Sequence, residues 1–184
     1  MEEQPIKKRK RNYINGPDLC DAIEKYQKEY KAAIEAGETP PQISKYIGEC
    51  FFKIATNLAK KRNFSSYSYI DDMILDGVER CVKYINTFNP EKTRNAFAYF
   101  TRTIHNSFLN RIKIERKELY YKYKMMLDQV HCNMLYEGDT EGVYNKINLE
   151  YAEEYIRNYD ELEEKRKERL RLKQEEEARV LDIR

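Results

Sequence analysis

The sequence is poor in the residues that form turns, and it contains no tryptophan. Its 184 residues include only six glycines and five prolines, whereas 36% are charged and 41% are hydrophobic. This composition is nearer to long, solvated helices than to a compact sheet protein. At about 150 residues per domain, the length accommodates one ordinary domain with some chain left over. A large multidomain enzyme is therefore excluded.

Long apolar runs and clustered metal ligands are also missing. No stretch approaches the roughly 18 apolar residues that a membrane span needs, and no apolar run follows the N-terminal charges as in a secretory signal. The four cysteines are widely spaced without a CxxC pair, and two histidines supply no zinc ligand set. We therefore expect a soluble intracellular protein with no membrane partner, no disulfide, no metal and no cofactor.

Catalytic motifs are absent as well. The sequence contains no Gly-rich phosphate loop, no HExxH and no GxSxG, and neither His105 nor His131 has a partner fixed by sequence. A position on the surface or boundary of a helix is the expected place for His105. The protein is expected not to be an enzyme.

Apolar residues recur at helical spacing over most of the chain. The pattern predicts helices over residues 18–36, 43–62 and 68–89, the last with Ser68 as its N-cap and a stop before a proline. Asn95 is the expected N-cap of a fourth helix of at least five turns. No segment alternates as a strand does, so the predicted fold class is all-α.

The apolar pattern weakens after about residue 126, where glycines and polar residues typical of a linker follow. We predict four segments: a basic N-terminal tail at 1–17, a helical domain at 18–125, an acidic linker at 126–149 and a charged C-terminal helix at 150–184. The last segment lacks a sustained apolar heptad, which favours a solvated single helix or a fraying tail over a coiled coil.

The near-neutral total charge conceals two segments of opposite sign. The chain has a formal net charge of +2. Residues 92–124 carry nine Lys or Arg against two Glu, a net of +7, whereas residues 125–164 carry eleven Asp or Glu against two basic residues, a net of −9. A basic segment on one helix is the electrostatic footprint that phosphate backbones select.

The fourth helix has two faces of different chemistry, since each residue advances about 100° around the axis. The face that must meet a core consists of Phe97, Phe100, Ile104, Phe108 and Ile112. The opposite face, which we call the DNA face, consists of Asn95, Tyr99, Arg102, Asn106, Lys113 and Lys117. It combines cations for phosphate, an amide for a base edge and an aromatic ring for stacking, and the alternative is a solvated basic surface.

The third helix carries an acidic outer face. Asp72, Asp76, Glu79 and Lys83 recur along its side opposite the apolar stripe. Such a face suits a basic partner, and the alternative is an ordinary solvated surface.

The stretch from Asp71 to Ile112 resembles region 2 of bacterial RNA polymerase sigma factors. The matching features are the acidic residue and glycine at Asp76 and Gly77, the aromatic end at Phe88, a basic loop, and AFAYF in the next helix. A closer resemblance is to the late-transcription sigma factors of T-even-type bacteriophages. It is carried by RNFSSYS (62–68), DGVE, NAFAYFT and NRIKIERKE (110–118), and it covers roughly residues 12–125.

The resemblance implies two binding surfaces on a sigma region 2-like helical domain. The first helix of region 2 would dock on the clamp helices of the polymerase β′ subunit through Asp72, Leu75, Asp76, Glu79, Val82 and Lys83. The following loop and helix would capture the melted minus-ten strand, with an aromatic pocket for a flipped base. The positions that match the pocket are occupied by Phe88, Arg94 and Tyr99. The positions that match the contact with the duplex edge are occupied by Arg102, Thr103 and Asn106.

Further partners follow from the same resemblance. Phage late factors engage the replication sliding clamp through a short hydrophobic and acidic C-terminal tail, and a late coactivator is implied as well. The matching anchors here are Val180, Leu181 and Ile183, although a frayed helix end explains these residues equally well. The implied location is the cytoplasm of an infected bacterial host.

Two other functions stay open on the sequence. A stand-alone helical DNA-binding regulator would use the DNA face but would not need the acidic face of the third helix. A structural or assembly protein would instead use the charged tail to form a coiled coil.

Overall fold

The protein is all-α over the residues that the structure describes, as the sequence predicts. The computed structural model describes residues 14–136 and 144–182, with side-chain burial for 14–129 and 149–179. The helices are α1 (Gly16–Ala36), α2 (Lys45–Ala59), α3 (Ile70–Tyr84), α4 (Ala96–Tyr136) and α5 (Tyr144–Asp182). A short 3-10 turn, Ile85–Thr87, follows α3. No strand occurs in these ranges, and none of their helices is long and apolar enough to cross a bilayer.

Helix α1 ends where its sequence predicts. Gly37 has a φ of 71°, in the left-handed region that a glycine adopts without steric cost. This conformation lets the N–H groups of Gly37 and Glu38 donate to the carbonyls of Ile34 and Ala33 at the helix end. The predicted stop is confirmed.

Helices α2 and α3 depart from the predicted bounds. Helix α2 ends at Ala59 rather than near Arg62, because the chain turns there and buries Phe64, which is 4% exposed. Helix α3 begins with Tyr69 at the N-cap and has no side-chain cap, so the prediction that Ser68 caps this helix is wrong.

The end of α3 also differs from the prediction of one continuous helix to residue 89. The helix stops at Tyr84 and passes into the 3-10 turn. The hydroxyl of Thr87 donates to the carbonyl of Tyr84 at 2.7 Å. The side-chain amide of Gln27, in α1, donates to the carbonyl of Ile85 in the turn. These hydrogen bonds come from residues outside α3, and the helix therefore ends before it reaches the proline.

The chain divides into two compact units, Met1–Ile112 and Lys113–Arg184, and the division falls within α4. The core of the first unit is built from all of its helices. Its largest fully buried side chains include Leu19 and Ile23 of α1, Phe51 and Ile54 of α2, Met73 of α3, and Phe100, Ile104 and Phe108 of α4. The last three belong to the apolar face predicted for the fourth helix, whose placement in a core is confirmed. The cysteines Cys20, Cys50 and Cys81 are free and buried.

Gly77 makes the approach between α3 and α4 possible. A Cβ atom at this position would lie 2.9 Å from Cγ2 of Ile104 and 3.2 Å from Cε1 of Phe108. Both distances are shorter than ordinary van der Waals contact, so a residue without a side chain is required here for α4 to pack this closely.

The second unit is an antiparallel pair formed by the end of α4 and the start of α5. The ring of Tyr120 stacks on that of Tyr159 at 4.6 Å between centroids, and Tyr123 meets Tyr155 at 5.3 Å. The hydroxyl of Tyr155 also donates to the carbonyl of Arg116 at 3.2 Å. These contacts hold the two helices side by side.

This pairing differs from the acidic linker predicted at 126–149. Residues 126–136 continue α4 and residues 144–149 begin α5, whereas residues 137–143 lie outside the described ranges. On either side of this segment, tyrosines at 120–123 of α4 pack against tyrosines at 151–159 of α5, a contact that the weak apolar pattern does not reveal. Beyond this contact, every residue from 164 to 179 is exposed, as a solvated helix requires.

The predicted basic tail at 1–17 is described only in part. Residues 1–13 lie outside the described ranges, Ile14 is 5% exposed within the core of the first unit, and Gly16 and Pro17 belong to α1. Folded structure therefore begins no later than Ile14.

Candidate nucleic-acid interface

The ring of Tyr99 is held in place at the start of α4. It lies 5.1 Å from the ring of Phe88 and 5.0 Å from that of Phe100, measured between centroids. Its hydroxyl is 2.9 Å from Oγ1 of Thr87. Because the one hydroxyl proton of Thr87 is donated to the carbonyl of Tyr84, Tyr99 is the donor in this bond. The side chain is half-buried, so part of the ring faces solvent.

Phe88 is buried next to Tyr99, and the planes of the two rings are inclined at 55° to each other. Its side chain is 3% exposed and also contacts Phe100 at 5.7 Å between centroids. In this conformation it offers no face to an incoming base, contrary to the expectation of an aromatic pocket that includes it. Its burial makes Phe88 a support for the ring of Tyr99.

The residue that organises the turn next to Tyr99 was not predicted from the sequence. The side-chain amide of Gln27 donates to the carbonyls of Ile85 and Phe88, at 2.7 Å and 2.8 Å, although it is only 8% exposed. A glutamine within the apolar stripe of α1, four residues after Ile23 and three before Tyr30, was the available signal.

Arg94 lies on the loop before α4 and is already paired. Its guanidinium Nη2 is 2.8 Å from Oδ1 of Asp21 in α1, and both side chains are largely exposed. Asn95 caps α4 as predicted, since its Oδ1 accepts from the N–H of Ala98 at 3.0 Å. Both residues therefore have structural contacts besides any contact with a ligand.

Further along the helix, Arg102 and Asn106 are exposed on the same side as Tyr99. Thr103 is half-buried, and its hydroxyl donates to the carbonyl of Tyr99 at 3.1 Å. The first unit thus brings together an aromatic ring, a guanidinium and an amide over the first three turns of α4. These groups can stack on a base, neutralise a phosphate and bond a base edge.

Lys113 and Lys117 belong to the second unit. Both are exposed, and the ammonium of Lys117 lies 5.8 Å from the ring centre of Tyr121. Their side chains are open to solvent within that unit.

The predicted polymerase-binding residues lie on the outer side of α3. Leu75 is 62% exposed and Val82 41% exposed, which are high values for apolar side chains. Asp72 is also exposed. Glu79 and Lys83 form an ion pair at 2.6 Å, and this hydrogen bond lowers the pKa of Glu79 and raises the pKa of Lys83.

Asp76 has a partner within the chain. Nε of Arg111 lies 2.9 Å from Oδ2 of Asp76, and Nη2 lies 4.0 Å from Oδ2 of Asp72. Arg111 is on α4, so these contacts tie the acidic face of α3 to the helix behind it. Asp72 is the more accessible of the two carboxylates.

No metal centre accompanies these surfaces in the described part of the chain, which holds no group of three or more His, Cys, Asp or Glu side chains able to bind an ion. His105 is exposed on α4 and packs against the edge of Phe64 at 5.5 Å between ring centroids. Val180 and Leu181 lie in the last turn of α5, where side-chain burial is not described, and Ile183 lies outside the described ranges.

A scan against models of protein families finds no match for this chain, and a search of curated proteins finds no significant relative.

Proposed function

We propose that this chain is a sigma-type initiation factor that binds core RNA polymerase and directs initiation at phage late promoters by holding the melted minus-ten strand. The observation that carries the proposal is the fixed, half-exposed ring of Tyr99, with Arg102 and Asn106 exposed beyond it. Preorganised rings suit an unstacked base, because stacking is worth about 1–3 kcal/mol per base.

The charge distribution supports the same proposal. Residues 92–124 carry a net charge of +7, and this charge is concentrated on the helix that carries Tyr99. Cations along one helix attract a phosphate backbone without selecting a sequence, whereas the aromatic ring acts only on a base that has left the duplex. The two features together favour a melted strand over intact duplex.

The outer side of α3 is the proposed polymerase surface. Leu75 and Val82 are exposed apolar side chains two turns apart on one side of α3, and the exposed carboxylate of Asp72 lies one turn before Leu75. Exposed apolar side chains with carboxylates beside them fit a partner surface that combines apolar and basic residues. Asp76 forms an ion pair with Arg111, so its substitution would also disturb a contact within the protein. Substitutions of Leu75 and Asp72 therefore test this surface more directly.

Transcription with purified components tests the proposal. Core polymerase with the protein should give a run-off transcript from an AT-rich minus-ten promoter, and Tyr99→Ala should reduce open-complex formation by roughly 5- to 150-fold while polymerase binding stays within about twofold. Phe52→Ala truncates an aromatic side chain that is 52% exposed on α2, so it is a matched control expected to behave as wild type.

The alternatives give different results. A stand-alone regulator would bind duplex promoter DNA equally well with and without core polymerase. An assembly protein would neither bind polymerase nor support a transcript. Equal loss of polymerase binding and open complex in Tyr99→Ala would indicate misfolding, and circular dichroism of the variant would detect it.

Contact of Val180, Leu181 and Ile183 with a sliding clamp is a further part of the proposal. Removal of residues 180–184 should abolish any stimulation of transcription by the clamp and leave clamp-independent initiation unchanged. Equal stimulation of the truncated and full chains would contradict this part alone.

A further inference from the structure

We infer that Gln27 is a positioning residue for Tyr99, which it sets in place through the 3-10 turn. This inference rests on the proposed function of Tyr99 as the base-stacking ring. Gln27 belongs to α1, and its bonds cross 58 and 61 residues of sequence to reach Ile85 and Phe88. Among the residues that the structure describes, the side chain of Gln27 joins α1 to both ends of the turn through hydrogen bonds.

Both hydrogens of the Gln27 amide are used. A carboxamide nitrogen carries two N–H groups, and the two carbonyls lie 2.7 Å and 2.8 Å from it. The opposite orientation of the amide would aim an oxygen at two carbonyl oxygens, so the contacts themselves fix which atom is the nitrogen. Because the group is 8% exposed, water does not easily replace either bond.

The 3-10 turn that Gln27 holds provides contacts that fix the ring of Tyr99. Ile85 and Phe88 lie on either side of Thr87 in the chain, the hydroxyl of Thr87 accepts from Tyr99, and the ring of Phe88 contacts the ring of Tyr99 at 5.1 Å between centroids. If the two carbonyls were released, both contacts of the ring would lose their fixed position. Gln27 therefore sets the position of the ring through these two contacts, without touching a bound strand.

Other residue types would not perform this role. Methionine is similar in length but has no N–H, and glutamate would direct carboxylate oxygens at the carbonyls. The bonds also join neutral groups, so salt should weaken them little, whereas the exposed pair of Arg94 and Asp21 is open to screening.

The first experiment uses the free full-length protein. Hydrogen–deuterium exchange of the backbone amides in residues 85–89 should become at least about tenfold faster in Gln27→Met, because two buried hydrogen bonds are lost. Gln42→Met makes the same chemical change at an exposed loop position and should leave this exchange unchanged. Unchanged exchange in Gln27→Met would overturn the inference, whatever the protein does to DNA.

The second experiment measures base unstacking in the complex with core polymerase. A promoter with 2-aminopurine in the minus-ten element reports the unstacked base by its fluorescence. Gln27→Met should lower the equilibrium constant for unstacking roughly tenfold, with polymerase binding within about twofold of wild type. In a Tyr99→Ala background the same change should cost less than about twofold, since its effect passes through the ring.

The outcomes separate the inference from the function on which it rests. A tenfold loss in both backgrounds would show that Gln27 acts independently of Tyr99, and the inference would be wrong. If the wild-type protein gave no unstacking signal while hydrogen exchange was faster in Gln27→Met, the proposed function would be contradicted. The role of Gln27 in holding the 3-10 turn would still be established.

Discussion

Replacement of Gly77 by alanine tests the packing of α3 against α4. The added Cβ would lie 2.9 Å from Cγ2 of Ile104 and 3.2 Å from Cε1 of Phe108. Both neighbours are completely buried, and Cγ2 of a β-branched residue in a helix has little rotamer freedom with which to move away. The change must therefore separate the helices or distort a side chain.

Two opposing terms set the expected magnitude. Overpacking of a core costs typically about 1–3 kcal/mol. Replacing a helical glycine by alanine stabilises the folded protein by about 0.5–1 kcal/mol, because alanine loses less conformational entropy on folding. We expect Gly77→Ala to lower the free energy of unfolding by up to about 2.5 kcal/mol, with a central value of about 1 kcal/mol.

Gly48→Ala is the matched control within the same unit. Gly48 is also helical, but no atom lies within 4 Å of a Cβ built there, so only the entropic gain applies. This variant should be more stable than wild type by about 0.5–1 kcal/mol.

Urea denaturation followed by near-ultraviolet circular dichroism measures both changes as shifts of the unfolding midpoint. The two variants should move the midpoint in opposite directions. If Gly77→Ala stabilised the protein as much as Gly48→Ala, α3 and α4 would not approach as closely as described, and the geometry that places Leu75 outside and Ile104 inside would be refuted.

Three further predictions follow from other contacts. Leu75→Arg should weaken binding of core polymerase at least about tenfold in a pull-down titration, whereas Ile34→Arg, at another exposed apolar position, should not. Burial raises the pKa of the Cys81 thiol from 9.0 to about 12. The stability that the buried neutral thiol contributes is therefore fully present below pH 9, and it is lost as the pH rises towards 12. Urea unfolding of Cys81→Ala should accordingly depend less on pH over that window, and an equal dependence would refute the burial. Tyr155→Phe removes the bond to the Arg116 carbonyl and should destabilise the second unit by about 0.5–1.5 kcal/mol, measured by local hydrogen exchange.

The sequence predicted the features of the fold that depend on local periodicity. The apolar face of α4 and the stop of α1 at Gly37 are both in place, because helical spacing and a left-handed glycine act over a few residues. Asn95 caps α4 for the same reason: the capping bond spans three residues.

The features that the sequence did not predict depend on contacts between distant residues. At the early end of α3, the local bond of Thr87 is joined by one from Gln27, which is far away in sequence, and no local pattern marks that second bond. Phe88 has the aromatic character of a base-binding residue, but its burial is decided by packing against Phe100. The pairing of α4 with α5 on either side of the predicted linker depends on tyrosine contacts between residues distant in sequence, such as Tyr120 and Tyr159.

The same distinction applies to the candidate site. Tyr99, Arg102 and Asn106 could be grouped from sequence because they share one helical face. The pairing of Asp76 with Arg111 could not, since charge patterns show which residues are acidic but not which basic side chain lies nearest. The structure therefore changes which acidic residue should be tested first.

Binding of a fork-junction oligonucleotide, with a single-stranded minus-ten segment, tests the central claim most directly. In complex with core polymerase, the wild-type protein should bind this oligonucleotide at least about tenfold more tightly than the matching full duplex, and Tyr99→Ala should remove most of that preference. Equal affinity of the wild-type complex for both oligonucleotides, or an undiminished preference in Tyr99→Ala, would contradict the account.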